Sequence, residues 1–183
     1  KLLTQIGGIQ KIIRNGDRVL IKPNLLKGNS PERAVCTHPE LVRCLIRAVR
    51  ECGGKAMIGD SPGWGSLPAV FRKSGYEAVA REEGAEILEF REPRRIRIRN
   101  GLFLDSVDIA AEVIAADRII NVAKCKTHGQ MGMTLAVKNM FGIVIGREKP
   151  RWHLRVGTDY DRFAKVIIDI FQAAKPDLNI LDG

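Results

Sequence analysis

NVAKCKTHGQMGMTLAVKNMFGI, residues 121–143, runs from an apolar strand straight into lysines, a histidine and glycines. Arg118 to Ala123 is a short apolar run of the kind that fills a sheet covered on both faces, and Thr134 to Phe141 has helical spacing. Between them the segment Lys124 to Met133 reads as a loop at the carboxyl end of the strand. It carries Lys124, Lys126, Thr127 and His128, while Gly129 and Gly132 let backbone amides turn toward an anion at the helix start. Strand, cationic loop and helix together outline an anion site. The plainer alternative is a solvated loop whose glycines merely make a turn.

The same alternation extends outward in both directions. Arg18 to Lys22 (RVLIK) reads as a first strand, ended by Pro23-Asn24 because proline cannot donate to a ladder. Thr37-His38-Pro39-Glu40 has the layout of a capping box with threonine as N-cap, and Leu41 to Cys52 continues as an amphipathic helix stopped by Gly53-Gly54. Lys55 to Gly59 is a second strand. Leu67 to Gly84 is helical with a break at Gly75, and Ala85 to Phe90 is a third strand. Arg94 to Ser106 alternates arginine with isoleucine up to Asn100-Gly101, the signature of an inserted β-hairpin. A short helix is expected over Ile109 to Ala116. Thr158, as N-cap, opens a helix to Ala174, and Leu178 to Leu181 closes the chain as a further strand. Lys1 to Arg14 reads as the end of one helix and a short second turn. The pattern predicts one α/β domain over residues 1–183, a mostly parallel, Rossmann-like sheet with helices on both faces.

Composition bounds the function. The chain has 183 residues, 45% of them hydrophobic and 28% charged, and a formal net charge of +9. That excess favours anionic partners. Four cysteines, at positions 36, 44, 52 and 125, follow no disulfide framework, and Cys44 and Cys52 read as small core residues of the helix after Pro39. No run is apolar for long enough to span a bilayer, so a reducing cytoplasm is the expected compartment, with no membrane partner. The first residue is Lys1 and the last follows a strand-like DLNILDG run, so the chain is expected to be part of a longer protein.

Ligands of open α/β sheets bind beyond the carboxyl ends of the strands. The residues there are Lys22 and Asn24, then Asp60 and Ser61, then Lys124, Lys126, Thr127 and His128, and finally Asp182. Lysines hold an anion, aspartates orient a hydroxyl or a divalent metal, and His128 transfers a proton near neutral pH. Gly59-Asp60-Ser61-Pro62-Gly63 matches the spacing of a nucleophile elbow. Pro62, however, lacks the N–H that the oxyanion hole requires, which leaves Ser61 a turn or binding role. Gly63 to Pro68 is no dinucleotide fingerprint, because a proline stands at the third glycine position. Cys36, His38, Cys125 and His128 match no standard zinc spacing, and His153 in REKPRWHLR reads as a surface residue.

VLIKPNLL (Val19 to Leu26), THPELVRCLIRAVRECGG (Thr37 to Gly54), IGDSPG (Ile58 to Gly63) and KCKTHGQMGMTLAVKNMFGIV (Lys124 to Val144) together resemble the domain-of-unknown-function 362 family. The resemblance covers nearly the whole chain. It implies an α/β domain found in proteins often described as iron-sulfur proteins, because many carry a ferredoxin-like module. The cysteines here form no C-x-x-C-x-x-C run, so a four-iron, four-sulfur cluster would belong to a part outside this chain. The family motif falls on Lys22, Asn24, Asp60, Lys126, His128, Lys138 and Asn139.

Two functional readings follow. In the first, a redox-linked enzyme or redox-partner domain binds a small anionic ligand through Lys22, Lys124 and Lys126, with Lys126 and His128 as catalytic groups and no metal assigned. In the second, the arginines at 94, 95, 97 and 99 bind nucleic acid or an acidic partner. The scarcity of aromatic residues to stack bases disfavours nucleic acid.

Overall fold

The computed structural model describes residues 2–145 and 148–183, so the expected helical start at Lys1 lies in part outside the described residues. In chain order the elements are α1 (Leu2–Gln5), a 3-10 turn (Ile9–Lys11), β1 (Arg18–Lys22), a 3-10 turn (Pro31–Arg33), α2 (Pro39–Glu51) and β2 (Lys55–Asp60). There follow α3 (Leu67–Lys73), α4 (Tyr76–Glu83), β3 (Glu86–Glu89), β4 (Pro93–Arg97), β5 (Ser106–Ala110), α5 (Ala111–Ile114) and β6 (Arg118–Lys124). The last are β7 (Lys126–His128), β8 (Gly132–Thr134), α6 (Ala136–Asn139), a 3-10 turn (Met140–Ile143), α7 (Glu148–Val156), α8 (Tyr160–Ala174) and β9 (Leu178–Asp182).

Five strands form one sheet in the order β3-β2-β1-β6-β9, every neighbouring pair parallel. Their inner members are continuously apolar because both faces are covered. Val19 and Ile21 pack with α2, α3 and α4, whereas Leu20, between them, packs with the β4–β5 ribbon and α8 on the opposite face. The outer strands behave differently. Ile180 is buried, but its neighbour Leu181 and Ile87 of β3 are exposed, because these strands lie at the sheet's edges.

From β1 the chain steps outward through β2 to β3, then returns by the ribbon and α5 to β6 on the other side of β1. Strand order therefore reverses between β1 and β6, which opens a crevice beyond their carboxyl ends.

Several local expectations change. The inserted ribbon is real, but Pro93–Arg97 pairs with Ser106–Ala110, so the strands are joined by residues 98–105 and not by a tight Asn-Gly turn. Asn100 is left-handed at φ 59°, and the next stretch is fixed by Asp169 of α8. This fully buried carboxylate accepts backbone N–H bonds from Leu102, Phe103 and Leu104 at 2.7–2.8 Å. Ile109 and Ala110 belong to the ribbon, which shortens the following helix. His38, not Thr37, caps α2, its Nδ1 accepting from Glu40 N–H. Thr37 Oγ1 is committed elsewhere, accepting from Asn24 N–H and donating to the Val122 carbonyl. Asp159, not Thr158, caps α8. Cys44 is exposed and so is no core residue, whereas Cys52 is half-buried against the core and Cys36 is buried.

Candidate functional site

The loops after β1, β2 and β6 enclose, together with α6 and α7, a cavity of about 620 Å³ at the β1/β6 crevice. Of the expected residues, Asn24, Asp60, Ser61, Lys126, Thr127, His128, Lys138 and Asn139 all line it. Lys22 lies beneath, wholly buried, with Nζ 2.8 Å from Asp60 Oδ1. Lys124 and Asp182 do not reach the cavity. They pair with each other at 3.3 Å, and Asp182 Oδ2 also accepts the His38 N–H at the start of α2, a structural use of both charges.

A chain of side-chain amides sets the floor. Asn179 accepts from Asn121, Asn121 accepts from Asn139, and Asn139 accepts from Asn24, at 2.7–2.8 Å in each case. Asn24 in turn accepts from the Lys126 ammonium, which also donates to the Val35 carbonyl at 2.7 Å. Strands β9 and β6, helix α6 and the loop between β1 and α2 are thus tied to one lysine. Asp60 Oδ2 accepts the Leu25 N–H at 2.9 Å, which fixes the loop after β1 against β2.

The segment expected as an open loop is a small antiparallel hairpin, β7 with β8, pivoting on left-handed Gly132. Two of its amides are used within the hairpin itself. The N–H groups of Gln130 and Met131 both donate to His128 Nδ1 at 3.2 Å, and the four-residue α6 that follows offers no helix-end field of its own. With Nδ1 doubly engaged as an acceptor, the ring proton belongs on Nε2. Burial, then Lys138, His153 and Lys126, push the His128 pKa down to about 4, so near pH 7 the ring is a neutral hydrogen-bond donor.

Sequence reasoning missed Lys149 and His153, both of which line the cavity from α7. His153 is half-buried, with its ring 4.8 Å from Phe163 and Nδ1 2.5 Å from Gln130 Oε1, which corrects its reading as a surface residue. Burial lowers its pKa too. The available signal was spacing. Lys149 and His153 are four residues apart and share a helix face, with Pro150 suited to a first turn.

Charge is unbalanced here. Lys22 has Asp60 as partner, but among the described residues Lys126, Lys138 and Lys149 have no carboxylate partner. Burial lowers all four pKa values, those of Lys138 and Lys149 to about 8. Lys149 donates to the Ser61 carbonyl, whereas Lys138 rests 4.7 Å over the Phe141 ring. Thr134 Oγ1, also lining the cavity, is buried with no hydrogen-bond partner among the described residues. Such orphaned polar atoms are costly and mark where a ligand contact fits.

Among the described residues no three His, Cys, Asp or Glu side chains group to hold a metal ion. Of the hairpin arginines, Arg95 is engaged by Asp108 through two bonds of 2.9 and 3.0 Å. No helix of the described residues is long and apolar enough to cross a membrane.

Comparison with known proteins agrees with this architecture. The family model described as Domain of unknown function (DUF362) matches residues 19–183. The thylakoid-associated protein sll1697 of Synechocystis sp. is 41% identical over 182 residues, covering 100% of this chain and 56% of that protein. The lactate racemase apoprotein of Thermoanaerobacterium thermosaccharolyticum superposes with a TM-score of 0.61 at 17% identity, over 96% of this chain and 45% of that one. The chain thus spans about half the length of both, and the second likeness is one of fold.

Proposed function

The chain belongs to the DUF362 family, and from that premise we propose that its β1/β6 crevice binds a small organic anion carrying a carboxylate or phosphate group. One observation carries this reading: three lysines line the cavity without a carboxylate partner among the described residues. Holding unpaired ammonium groups in a half-buried pocket is costly, and an anion offsets that cost. The Nε2–H of His128 and the hydroxyl of Thr134 supply neutral donors beside them. At about 620 Å³ the cavity exceeds what a lone inorganic ion needs, and Leu25, Phe141 and Pro150 give it apolar wall for a carbon skeleton.

In this reading Lys126 and Lys149 are anion contacts, Asn24 and Asn139 position Lys126, and Asp60 keeps Lys22 charged below the floor. The four free thiols suit a reducing compartment. Nucleic-acid binding through the arginine ribbon has weaker support, because Arg95 is already satisfied by Asp108.

The experiment is a calorimetric titration with citrate and with inorganic phosphate. Replacing Lys126 or Lys149 by alanine is expected to weaken binding by about tenfold or more, as for loss of one charge-assisted contact. Arg94→Ala with Arg97→Ala is expected to leave it unchanged. Equal affinity in wild type and both lysine variants would refute the assignment.

A further inference from the structure

We propose that Lys138 is a nucleophilic amine that forms an imine with a carbonyl group of the anion held in this cavity, a reading that rests on the anion-binding proposal above. The lysines of the site differ in what holds them. Lys22 is held by Asp60 and the Pro23 carbonyl, Lys126 by Asn24 and the Val35 carbonyl, and Lys149 by the Ser61 carbonyl. Lys138 lines the same cavity, and among the described residues its nitrogen donates to no oxygen. Its neighbours are the faces of Phe141 at 4.7 Å and Phe163 at 5.7 Å.

An amine on an aromatic shelf keeps its lone pair available once a proton is lost. Burial and the nearby Lys22 and Lys126 charges lower the Lys138 pKa to about 8, so a share of the amine is neutral at physiological pH. This is the environment that activates lysine toward carbonyl groups. Lys149 has a similarly lowered pKa but is tethered to a carbonyl, so geometry separates the two.

The step balances without a co-reactant. The Lys138 nitrogen lone pair adds to the carbonyl carbon, a proton passes from nitrogen to oxygen to give a carbinolamine, and the C–O bond breaks with release of water, leaving C=N. The acidic group of the substrate rests on Lys126 and Lys149, and the His128 Nε2–H is the neutral donor available to the carbonyl oxygen. The substrate class is therefore an aldehyde or ketone bearing a carboxylate or phosphate.

The test uses glyoxylate, an aldehyde carboxylate, with cyanoborohydride to reduce any imine to a stable secondary amine, followed by peptide mass mapping. The expected label falls on Lys138 about tenfold more than on any other lysine, as for a selectively activated nucleophile. Lys138→Arg is expected to lose that label, and phosphate binding is read separately by calorimetry on the unmodified protein. If phosphate binds but label spreads evenly or falls on Lys149, the imine is refuted and the anion site stands. If neither phosphate nor citrate binds and Lys138 is not labelled, both readings fall. Mapping the unmodified protein decides the matter even where the variant does not fold.

Discussion

Gly142 shows how little room the site leaves around its buried ion pair. A Cβ there would lie 2.4 Å from Asp60 Oδ1 and 2.6 Å from Lys22 Nζ, so space and not backbone conformation requires glycine. Gly142→Ala is expected to cost about 1–3 kcal/mol by overpacking, read as a lower denaturant midpoint. An unchanged midpoint would mean that the pair can move aside. The pair itself invites a double-mutant cycle. Asp60→Asn leaves the Lys22 ammonium buried and alone, at a cost of about 3–5 kcal/mol, whereas adding Lys22→Met should recover much of that loss. If the double variant is no more stable than Asp60→Asn, the two groups are not coupled. Lysine titration supplies a third residue-scale expectation. Lys138 and Lys149 have pKa values of about 8 in the folded protein against an ordinary 10.5, so between those values the unfolded chain binds more protons. Stability should therefore rise as pH climbs from about 8 toward 10.5, and saturating citrate should flatten that rise. Melting temperatures that fall across this window without ligand would contradict the burial of these amines.

Elements explain why some of this was legible in the sequence and some was not. Lys126, His128 and Asp60 could be placed because each closely follows or ends a continuously apolar strand. Thr37 could not, because its sequence context is that of a helix cap. Its hydroxyl instead joins Asn24 to Val122 across the crevice, a contact between segments 85 residues apart in sequence. Thr37→Val should cost about 1–3 kcal/mol and weaken citrate binding, since Asn24 holds Lys126. A variant as stable and as competent as wild type would remove Thr37 from the site's support. Asp169 was hidden for a related reason. It interrupts the apolar stripe of α8 between Ile167 and Ile170, and only the folded ribbon reveals the backbone donors that it satisfies. Helix α7 eluded the apolar-period signal because the face it turns inward is polar: Lys149 and His153 line a cavity rather than a core.

At the scale of the whole molecule, alternating strands and helices specify a parallel sheet, but strand order depends on which side of β1 the returning chain takes. Periodicity carries no information on that choice. The ribbon and α5 bring β6 beside β1 rather than beyond β3, and this reversal opens the crevice into which six of the eight expected lining residues project from the strand ends and the hairpin, with Lys138 and Asn139 added from α6. The proposed crevice collects anions because, among the described residues, its lysines are short of carboxylates. This is tested most directly by diffraction from crystals soaked in iodide, whose anomalous signal locates anions without presuming a substrate. The expected result is a peak inside the cavity in contact with Lys126, Lys138 or Lys149. Peaks confined to the ribbon arginines and other surface cations, with none in the cavity, would contradict it.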